Sequence, residues 1–172
     1  MDTLTIRPVI DADMPAIEAL YTAAFPDEDL LPLVRSLLQA TGAVASLVAT
    51  QQTQIQGNIL FTHGQVAGLR AALLGPLAVV PTRHGQGIGS RLVEAGLAAL
   101  RQDGVALVCV LGDPAYYGRF GFAVERRVLP PYELPAAWRD AWQSRYLAVR
   151  AADVSGALDL PPQWLQPSLW SP

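Results

Sequence analysis

The sequence predicts a mixed α/β fold, with a splayed sheet of about six or seven strands and helices on both faces. Two nearly continuous apolar runs, at residues 71–80 and 106–111, have the length and composition of buried strands. Gly75 and Pro76 interrupt the first run and predict an irregularity in that strand. Between the two runs, a glycine-rich turn leads into a predicted helix at residues 87–102. This βαβ arrangement predicts that the two strands lie parallel, or splay from a parallel start.

The N-terminal half predicts an opening strand followed by two helices. Residues 4–8 alternate in polarity and predict the strand, and Asp11 or Asp13 is placed to cap the first helix. The acidic residues 27–29 are expected to begin the second helix. The turn predicted at 51–53 lacks the Gly or Asn that tight hairpin turns usually contain. Further strands are expected at residues 46–50, 54–62, 124–128 and 146–150, with 63–69 as a loop or a short strand.

The composition excludes several classes of protein. Hydrophobic residues make up 51% of the chain and charged residues 16%, which argues against disorder. The net charge of -3 gives no sign of a nucleic-acid partner. No stretch approaches the roughly 20 apolar residues that span a membrane, so no membrane partner is expected. The single cysteine, Cys109, excludes an internal disulfide, is typical of a cytoplasmic protein, and is expected to pack rather than react.

The strongest functional signal lies at residues 77–92, whose sequence is LAVVPTRHGQGIGSRL. A strand ends at a proline, and Gly85, Gly87 and Gly89 then open a helix. Glycine lets a backbone approach a ligand closely, and the first N–H groups of a helix have no internal partner and carry partial positive charge. Because the chain contains no lysine, we expect backbone groups, aided by the Ser90 hydroxyl, to bind a pyrophosphate here.

Three alternatives compete with a pyrophosphate site at this turn. A glycine-rich turn can be only a tight connection between a strand and a helix. A dinucleotide site requires G-x-G-x-x-G, but Ser90 stands where the third glycine belongs, and residues 105–111 contain no acidic contact for a ribose. A Walker A loop is excluded because no Gly-Lys-Ser/Thr sequence occurs. The residues alone leave the tight connection and the anion site as open alternatives.

Residues 84–89, His-Gly-Gln-Gly-Ile-Gly, resemble the acyl-CoA signature of the GNAT superfamily of N-acetyltransferases, which is Gln/Arg-x-x-Gly-x-Gly/Ala. His84 departs from the usual Gln or Arg, although it can still donate a hydrogen bond to phosphate, and Arg83 can compensate for the change. Residues 116–122, Tyr-Tyr-Gly-Arg-Phe-Gly-Phe, resemble a later motif of the same family. With residues 110–114 before it, this second motif is most similar to a bacterial subgroup of N-acetyltransferases with a proline-containing C-terminal extension.

The resemblance implies a single N-acetyltransferase domain over residues 1–172, with an ordered Pro- and Trp-containing extension at 151–172. It implies acetyl-CoA as the cosubstrate, no metal, and direct attack by an amine in a ternary complex. The acceptor would be a small-molecule or peptide amine, and the resemblance allows a homodimer. A catalytically silent acyl-CoA-binding regulatory module is the main alternative. Protein-interaction scaffolding by the Trp-rich tail is another.

The resemblance also implies which residues contact the cosubstrate. The backbone of Leu77, Ala78 and Val79 would pair with the pantetheine arm, and the turn would hold the pyrophosphate. Tyr117 would be the general acid that protonates the departing thiolate, or else only a wall of the pocket. Arg119 would reach the nucleotide phosphates, or else lie in solvent. The full set of implied contacts is Leu77, Ala78, Val79, His84, Gly85, Gln86, Gly87, Ile88, Gly89, Ser90, Tyr117 and Arg119.

A general base for the acceptor amine is the least determined part of the implied mechanism. Glu28, together with Asp27 and Asp29, lies in the segment that usually lines the acceptor site in this family. These carboxylates are equally expected as charges at a helix N-terminus, where acidic residues are stabilising. His63 is another candidate, and an amine that is already partly neutral needs no dedicated base.

Overall fold

The computed structural model describes residues 3–40, 42–148 and 153–172. The helices are α1 (Met14–Ala24), α2 (Leu31–Gln39), α3 (Ile88–Gln102) and α4 (Pro114–Tyr117). The strands are β1 (Thr5–Pro8), β2 (Val44–Gln51), β3 (Gln54–Val66), β4 (Leu69–Val79), β5 (Leu107–Leu111), β6 (Ala123–Val124), β7 (Val128–Leu129), β8 (Trp142–Tyr146) and β9 (Gly156–Ala157).

Seven of the strands form one mixed sheet in the order β1-β2-β3-β4-β5-β8-β6, and β7 and β9 form a small parallel pair. Strand β1 pairs antiparallel with β2, and β5 pairs antiparallel with β8. Strand β4 pairs in parallel with β5, and α3 connects them. The mixed sheet and the βαβ unit predicted from the two apolar runs are therefore confirmed.

The irregularity predicted in β4 is also confirmed. The parallel register with β5 runs from Ala71↔Leu107 to Leu74↔Val110. The next residue, Gly75, has a φ of 135°, which side chains rarely tolerate, and Pro76 has no N–H to donate to a ladder.

The residues cluster into two compact units. The first consists of Met1–Phe61 and Pro76–Ala98, and the second of Thr62–Gly75 and Ala99–Pro172. The first unit is built on a core of buried apolar side chains that includes Ile17, Leu20, Tyr21, Val34, Leu37, Ile59, Phe61 and Leu92. The core of the second unit includes Leu107, Val108, Cys109, Trp142, Leu158, Trp164 and Trp170. That the whole chain is a single domain stays a prediction.

The turn predicted after β2 is confirmed at Gln52 and Thr53, and of the segment at 63–69 the strand alternative holds for residues 63–66. The segment at 63–69 is not a separate loop, because β3 continues to Val66 and a two-residue turn leads directly into β4. At that turn Ala67 has a φ of 48°, and in the turn after β2, Gln52 and Thr53 have φ values of 51° and 66°. Such left-handed conformations usually require Gly or Asn. The turns are therefore imposed by the strand pairing on either side rather than by local preference.

Of the two predicted helix starts, the first is at the predicted place and the second is not. Asp13 stands at the N-cap position of α1, but without the expected side-chain bond. No side-chain cap bond from Asp13 to α1 is found in the described part of the chain; instead its carboxylate accepts from both Nη atoms of Arg7, at 2.8 and 2.9 Å, and from the N–H of Ile10 at 2.9 Å. Helix α2 begins at Leu31, and residues 27–29 lie in the turn before it. The ion pair with Arg7 explains why the Asp13 carboxylate accepts no capping bond from α1.

The C-terminal strands also shift from their predicted places. The strand expected at 124–128 is divided between β6 and β7, because the Glu125 carboxylate turns inward and accepts from the N–H groups of Arg127 and Val128. The strand expected at 146–150 lies instead at Trp142–Tyr146, and residues 149 and 150 lie outside the described residues.

Across residues 3–40, 42–148 and 153–172, we find no helix that is long and apolar enough to cross a membrane. The same ranges contain no group of three or more His, Cys, Asp or Glu side chains that could hold a metal ion.

Candidate active site

The glycine-rich turn in the first unit opens onto free space. It begins with a short 3-10 helix at Pro81–Arg83 and ends at the 15-residue helix α3. Gly85 and Gly87 have φ values of 78° and 81°, and a Cβ added to either would meet no atom within 4 Å. The N–H of Arg91 donates to the carbonyl of Gly87 at 3.1 Å, so the N–H groups just before it lie ahead of the first helical bond. The turn therefore has the conformation and the space that a backbone anion site requires.

Side chains fix the turn to the two strands beside it. His84 Nε2 donates to the carbonyl oxygen of Val79 at 3.0 Å, which ties the imidazole ring to the end of β4. Arg83 Nε donates to Gln86 Oε1 at 2.7 Å, and Arg83 Nη1 makes a longer 3.4 Å contact with Gln56 Oε1 on β3. The ring predicted to face phosphate is thus engaged with backbone, whereas Arg83 lies along the turn.

Two glycines that the sequence analysis did not single out hold α3 close to β3. A Cβ on Gly57 would come within 2.9 Å of Leu92 Cδ1 and 3.1 Å of the Ala78 carbonyl oxygen. A Cβ on Gly96, inside α3, would come within 2.1 Å of the Phe61 ring. A glycine inside a strand or a helix can mark such a close approach, and that signal was available from the sequence.

The other candidates in the first unit lie at the end of β4 and after α1. Leu77, Ala78 and Val79 are the last three residues of β4, and Ala78 is 2% exposed. Glu28 is exposed and lies with its acidic neighbours on a cavity of about 450 Å³. The residues lining that cavity are Tyr21, Thr22, Phe25, Pro26, Asp27, Glu28, Asp29, Leu30 and Leu31.

Tyr117, in the second unit, is held by its neighbours on three sides. Its ring packs edge-on against Tyr116 at a centroid distance of 5.0 Å and against Phe122 at 5.8 Å. A Cβ on Gly112 would come within 2.5 Å of Tyr117 Cε2, so only glycine leaves room for the ring. Asp113 begins the short helix α4 by accepting from the N–H of Ala115 at 2.9 Å. Burial, followed by the nearby Tyr116, raises the pKa of the Tyr117 phenol, which keeps it protonated at neutral pH.

Arg119 is exposed and folds back onto its own helix turn. Its guanidinium carbon lies 4.7 Å from the centre of the Tyr116 ring and 5.3 Å from that of Phe120, which are cation–π distances. Its Nε donates to the Tyr116 carbonyl at 3.3 Å. Its predicted contact with nucleotide phosphates stays a prediction.

The two remaining candidates are both in the second unit. His63 is half-buried, its Nδ1 has no hydrogen-bond partner among the described residues, and burial and the nearby Arg70 lower its pKa. Cys109 is fully buried in β5, and burial raises the pKa of its thiol, so the prediction that it packs is confirmed.

Comparison with known families shows to which family the chain belongs. The family described as "Acetyltransferase (GNAT) domain" matches residues 5–124. The chain belongs to the GNAT acetyltransferase family. The recognition of the family and of the enzyme class from the glycine turn and the Tyr-Tyr motif is therefore confirmed.

The relatives and solved structures that this GNAT protein resembles match between 84% and 96% of its length. The uncharacterized N-acetyltransferase YjhQ of Escherichia coli is 33% identical over 84% of this chain and 85% of its own length. The crystal structure of Escherichia coli YhbS, solved in complex with CoA, has a TM-score of 0.87 and 32% identity, covering 96% of this chain and 94% of that one. A GNAT acetyltransferase from Brucella melitensis, solved with acetyl-CoA, has a TM-score of 0.73 and 30% identity, covering 94% and 97%.

Proposed function

We propose that this GNAT protein transfers the acetyl group of acetyl-CoA to an amine by direct attack in a ternary complex. The observation that carries the proposal is the open turn at Gly85 and Gly87, which leads into the N-terminus of α3. The CoA bound to YhbS and the acetyl-CoA bound to the Brucella enzyme support the same class of cosubstrate.

The pyrophosphate of acetyl-CoA would lie on the turn between Gly85 and Ser90. There the N–H groups ahead of the first helical bond and the partial positive charge of a long helix favour an anion without any lysine. The pantetheine arm would pair with the backbone at Leu77, Ala78 and Val79. Since His84 already donates to the Val79 carbonyl, we assign that ring to the support of the turn and of the end of β4.

The chemical step forms one bond and breaks another. The amine nitrogen attacks the thioester carbonyl, the C–N bond forms, and the C–S bond breaks to release the CoA thiolate. We assign Tyr117 the protonation of that thiolate, since its ring is fixed by Gly112, Tyr116 and Phe122. The amine proton passes to Glu28 or, for an amine that is already neutral, to solvent.

A cationic acceptor is the class that the first unit favours. Three exposed carboxylates, those of Asp27, Glu28 and Asp29, lie on the same cavity as the Phe25 ring. A panel of amino acids, polyamines, aminoglycosides and peptide N-termini therefore covers the acceptors worth assaying. The cytoplasmic location and the homodimer stay predictions.

A turnover assay against this amine panel, read with a thiol reagent, tests the proposal. We expect thiol release with at least one amine, and Tyr117→Phe should lower kcat on that amine by about 100-fold, the usual contribution of a general acid. Its affinity for acetyl-CoA should change far less, because the interaction is made mainly in the transition state. The adjacent Tyr116→Phe is the matched control and should keep kcat within a few-fold of wild type.

The assay also separates the alternatives. CoA binding without turnover on any amine would indicate the silent regulatory module instead of an enzyme. Wild-type kcat in Tyr117→Phe would assign Tyr117 to the pocket wall while leaving the enzyme proposal intact.

A further inference from the structure

We infer that Arg83 is a pre-positioned anchor for the pyrophosphate of CoA, held in place by Gln56 and Gln86. The inference rests on the proposed CoA site. It goes beyond the compensation for His84 expected from the sequence, because it names the phosphate group that Arg83 binds and the two side chains that hold Arg83.

The Arg83 guanidinium is fixed beside the open glycines of the turn. Its Nε donates to Gln86 Oε1 at 2.7 Å, and Gln86 lies between the two open glycines of the turn. The guanidinium is thus placed along the same turn that presents free space at Gly85 and Gly87. A guanidinium carries five N–H donors, and the two contacts with Gln86 and Gln56 use only part of them. The others can bind phosphate oxygens in the forked geometry that arginine favours.

Arg83 is also in contact with a buried side chain of a long strand. Gln56 is 8% exposed, belongs to the 13-residue strand β3, and its carbonyl accepts from the N–H of Val80 at 2.9 Å. Its side-chain oxygen faces Arg83 Nη1 at 3.4 Å. A side chain whose orientation is fixed by a buried partner loses less freedom on binding a ligand than a solvated arginine does.

Arg83 also supplies a positive charge that the rest of the turn lacks. The family signature places Gln or Arg at the position of His84, but here that ring donates to the Val79 carbonyl. The chain contains no lysine, and Arg83 is the only arginine between Pro81 and Ser90. Arg83 is therefore the cationic side chain that this turn can offer to the pyrophosphate.

Calorimetric titration of the full chain with CoA and with 3′-dephospho-CoA tests the inference. Arg83→Gln should weaken both ligands equally, by about 10- to 100-fold, as expected for a charge-assisted contact. Gln56→Met keeps every charge but removes the buried acceptor, and should weaken both ligands several-fold. Arg101→Gln removes the same charge from the exposed far end of α3 and is the matched control, with affinity within two-fold of wild type.

Salt dependence and kinetics distinguish an anchor from a residue that only stabilises the fold. The slope of log Kd against log salt should fall in Arg83→Gln but not in Gln56→Met, since only the first loses a charge at the ligand. In turnover, Arg83→Gln should raise the KM for acetyl-CoA and leave kcat unchanged, as for loss of uniform binding. Thermal melting of each variant verifies that it is folded.

Three results would overturn the inference. Equal affinities of Arg83→Gln and Arg101→Gln would show that Arg83 does not contact CoA. A loss confined to CoA, with dephospho-CoA unaffected, would move Arg83 to the 3′-phosphate and away from the pyrophosphate. Absence of CoA binding by the wild-type protein would remove the proposed function itself, and the anchor with it.

Discussion

Glu125 is a buried carboxylate whose structural role follows from its hydrogen-bond partners and could not be predicted from the sequence. It is 7% exposed, and its Oε1 accepts from Ser144 Oγ at 2.7 Å and from the Tyr146 hydroxyl at 2.5 Å. Its Oε2 accepts from the N–H groups of Arg127 and Val128 at 2.7 and 3.0 Å. Burial alone would raise the pKa of Glu125, but the hydrogen bonds, that of Tyr146 foremost, outweigh burial and lower it. Burial and the bond to Glu125 raise the pKa of Tyr146 to about 12.

These bonds predict a pH-dependent loss of stability in Glu125→Gln. At pH 7 the variant should be less stable by about 1–3 kcal/mol, because donors that face a carboxylate oxygen would then face an amide N–H₂. A carboxyl whose pKa is lowered on folding contributes stability above its unfolded pKa, near 4.3, and loses it as pH falls through the folded pKa. The difference between wild type and variant should therefore be constant from pH 7 to about 5 and shrink below about 4.

Urea unfolding across that pH range measures this difference. Glu133→Gln is the control, because its side chain is 89% exposed and should show almost no difference at any pH. A Glu125→Gln penalty that stays the same from pH 7 to pH 3 would contradict the hydrogen-bonded carboxylate.

At the scale of an element, the turn into α3 combines a conformational requirement with a proposed binding role. Gly87 has a φ of 81°, so a β-branched substitution there would be strained whether or not a ligand is present. Asparagine tolerates the left-handed region and still projects a side chain into the open space. An asparagine variant can therefore separate the two effects, which a valine variant cannot.

We expect Gly87→Asn to weaken CoA binding at least about 10-fold while the melting temperature falls only slightly, because the side chain would occupy the space proposed for phosphate. Gly68 is a matched site in the β3–β4 turn, with a φ of 79° and no atom within 4 Å of an added Cβ. Gly68→Asn should have the same small effect on stability and leave the CoA affinity unchanged. Equal CoA affinities in the two variants would make the turn only a tight connection.

At the scale of the whole chain, the C-terminal segment completes the core of the second unit. Trp164 Nε1 donates to the Thr62 hydroxyl at 2.9 Å, across 102 positions of sequence, and Trp170 Nε1 donates to the Trp164 carbonyl. The Trp170 ring lies 5.8 Å from that of Trp142 and 6.1 Å from that of Trp164, centre to centre. Since Trp164 and Trp170 are 8% and 2% exposed, they offer little surface for the scaffolding role considered from the sequence.

This packing predicts that Trp164→Ala lowers the free energy of unfolding by about 3–5 kcal/mol, the usual cost of removing a buried aromatic side chain. Leu165, the next residue, is 47% exposed, and Leu165→Ala should change stability by less than about 0.5 kcal/mol. Denaturant unfolding, with size-exclusion chromatography of both variants, makes the comparison. A change of oligomeric size in Trp164→Ala without loss of stability would favour the scaffolding role instead.

The sequence by itself determined the features that depend on local pattern. Apolar runs at 71–80 and 106–111 predicted two buried strands, because they are short, continuous and flanked by Gly or Pro. Glycine spacing before α3 predicted the open turn, because only glycine adopts positive φ without cost. The two motifs at residues 84–89 and 116–122 were enough to recognise the family.

Only the tertiary structure decided which distant groups meet. The sequence predicted that the Asp13 side chain caps a helix, but in the structure its carboxylate pairs with Arg7 of β1. The contact of His84 with a phosphate stays a prediction, whereas its bond from Nε2 to the Val79 carbonyl could not be predicted from the sequence. The contact of Gln56 with Arg83 joins residues 27 positions apart, and that of Thr62 with Trp164 joins residues 102 apart. Such pairs carry no local signal, because hydrogen-bond partners are selected by the packing of the whole chain and not by the residues beside them in sequence.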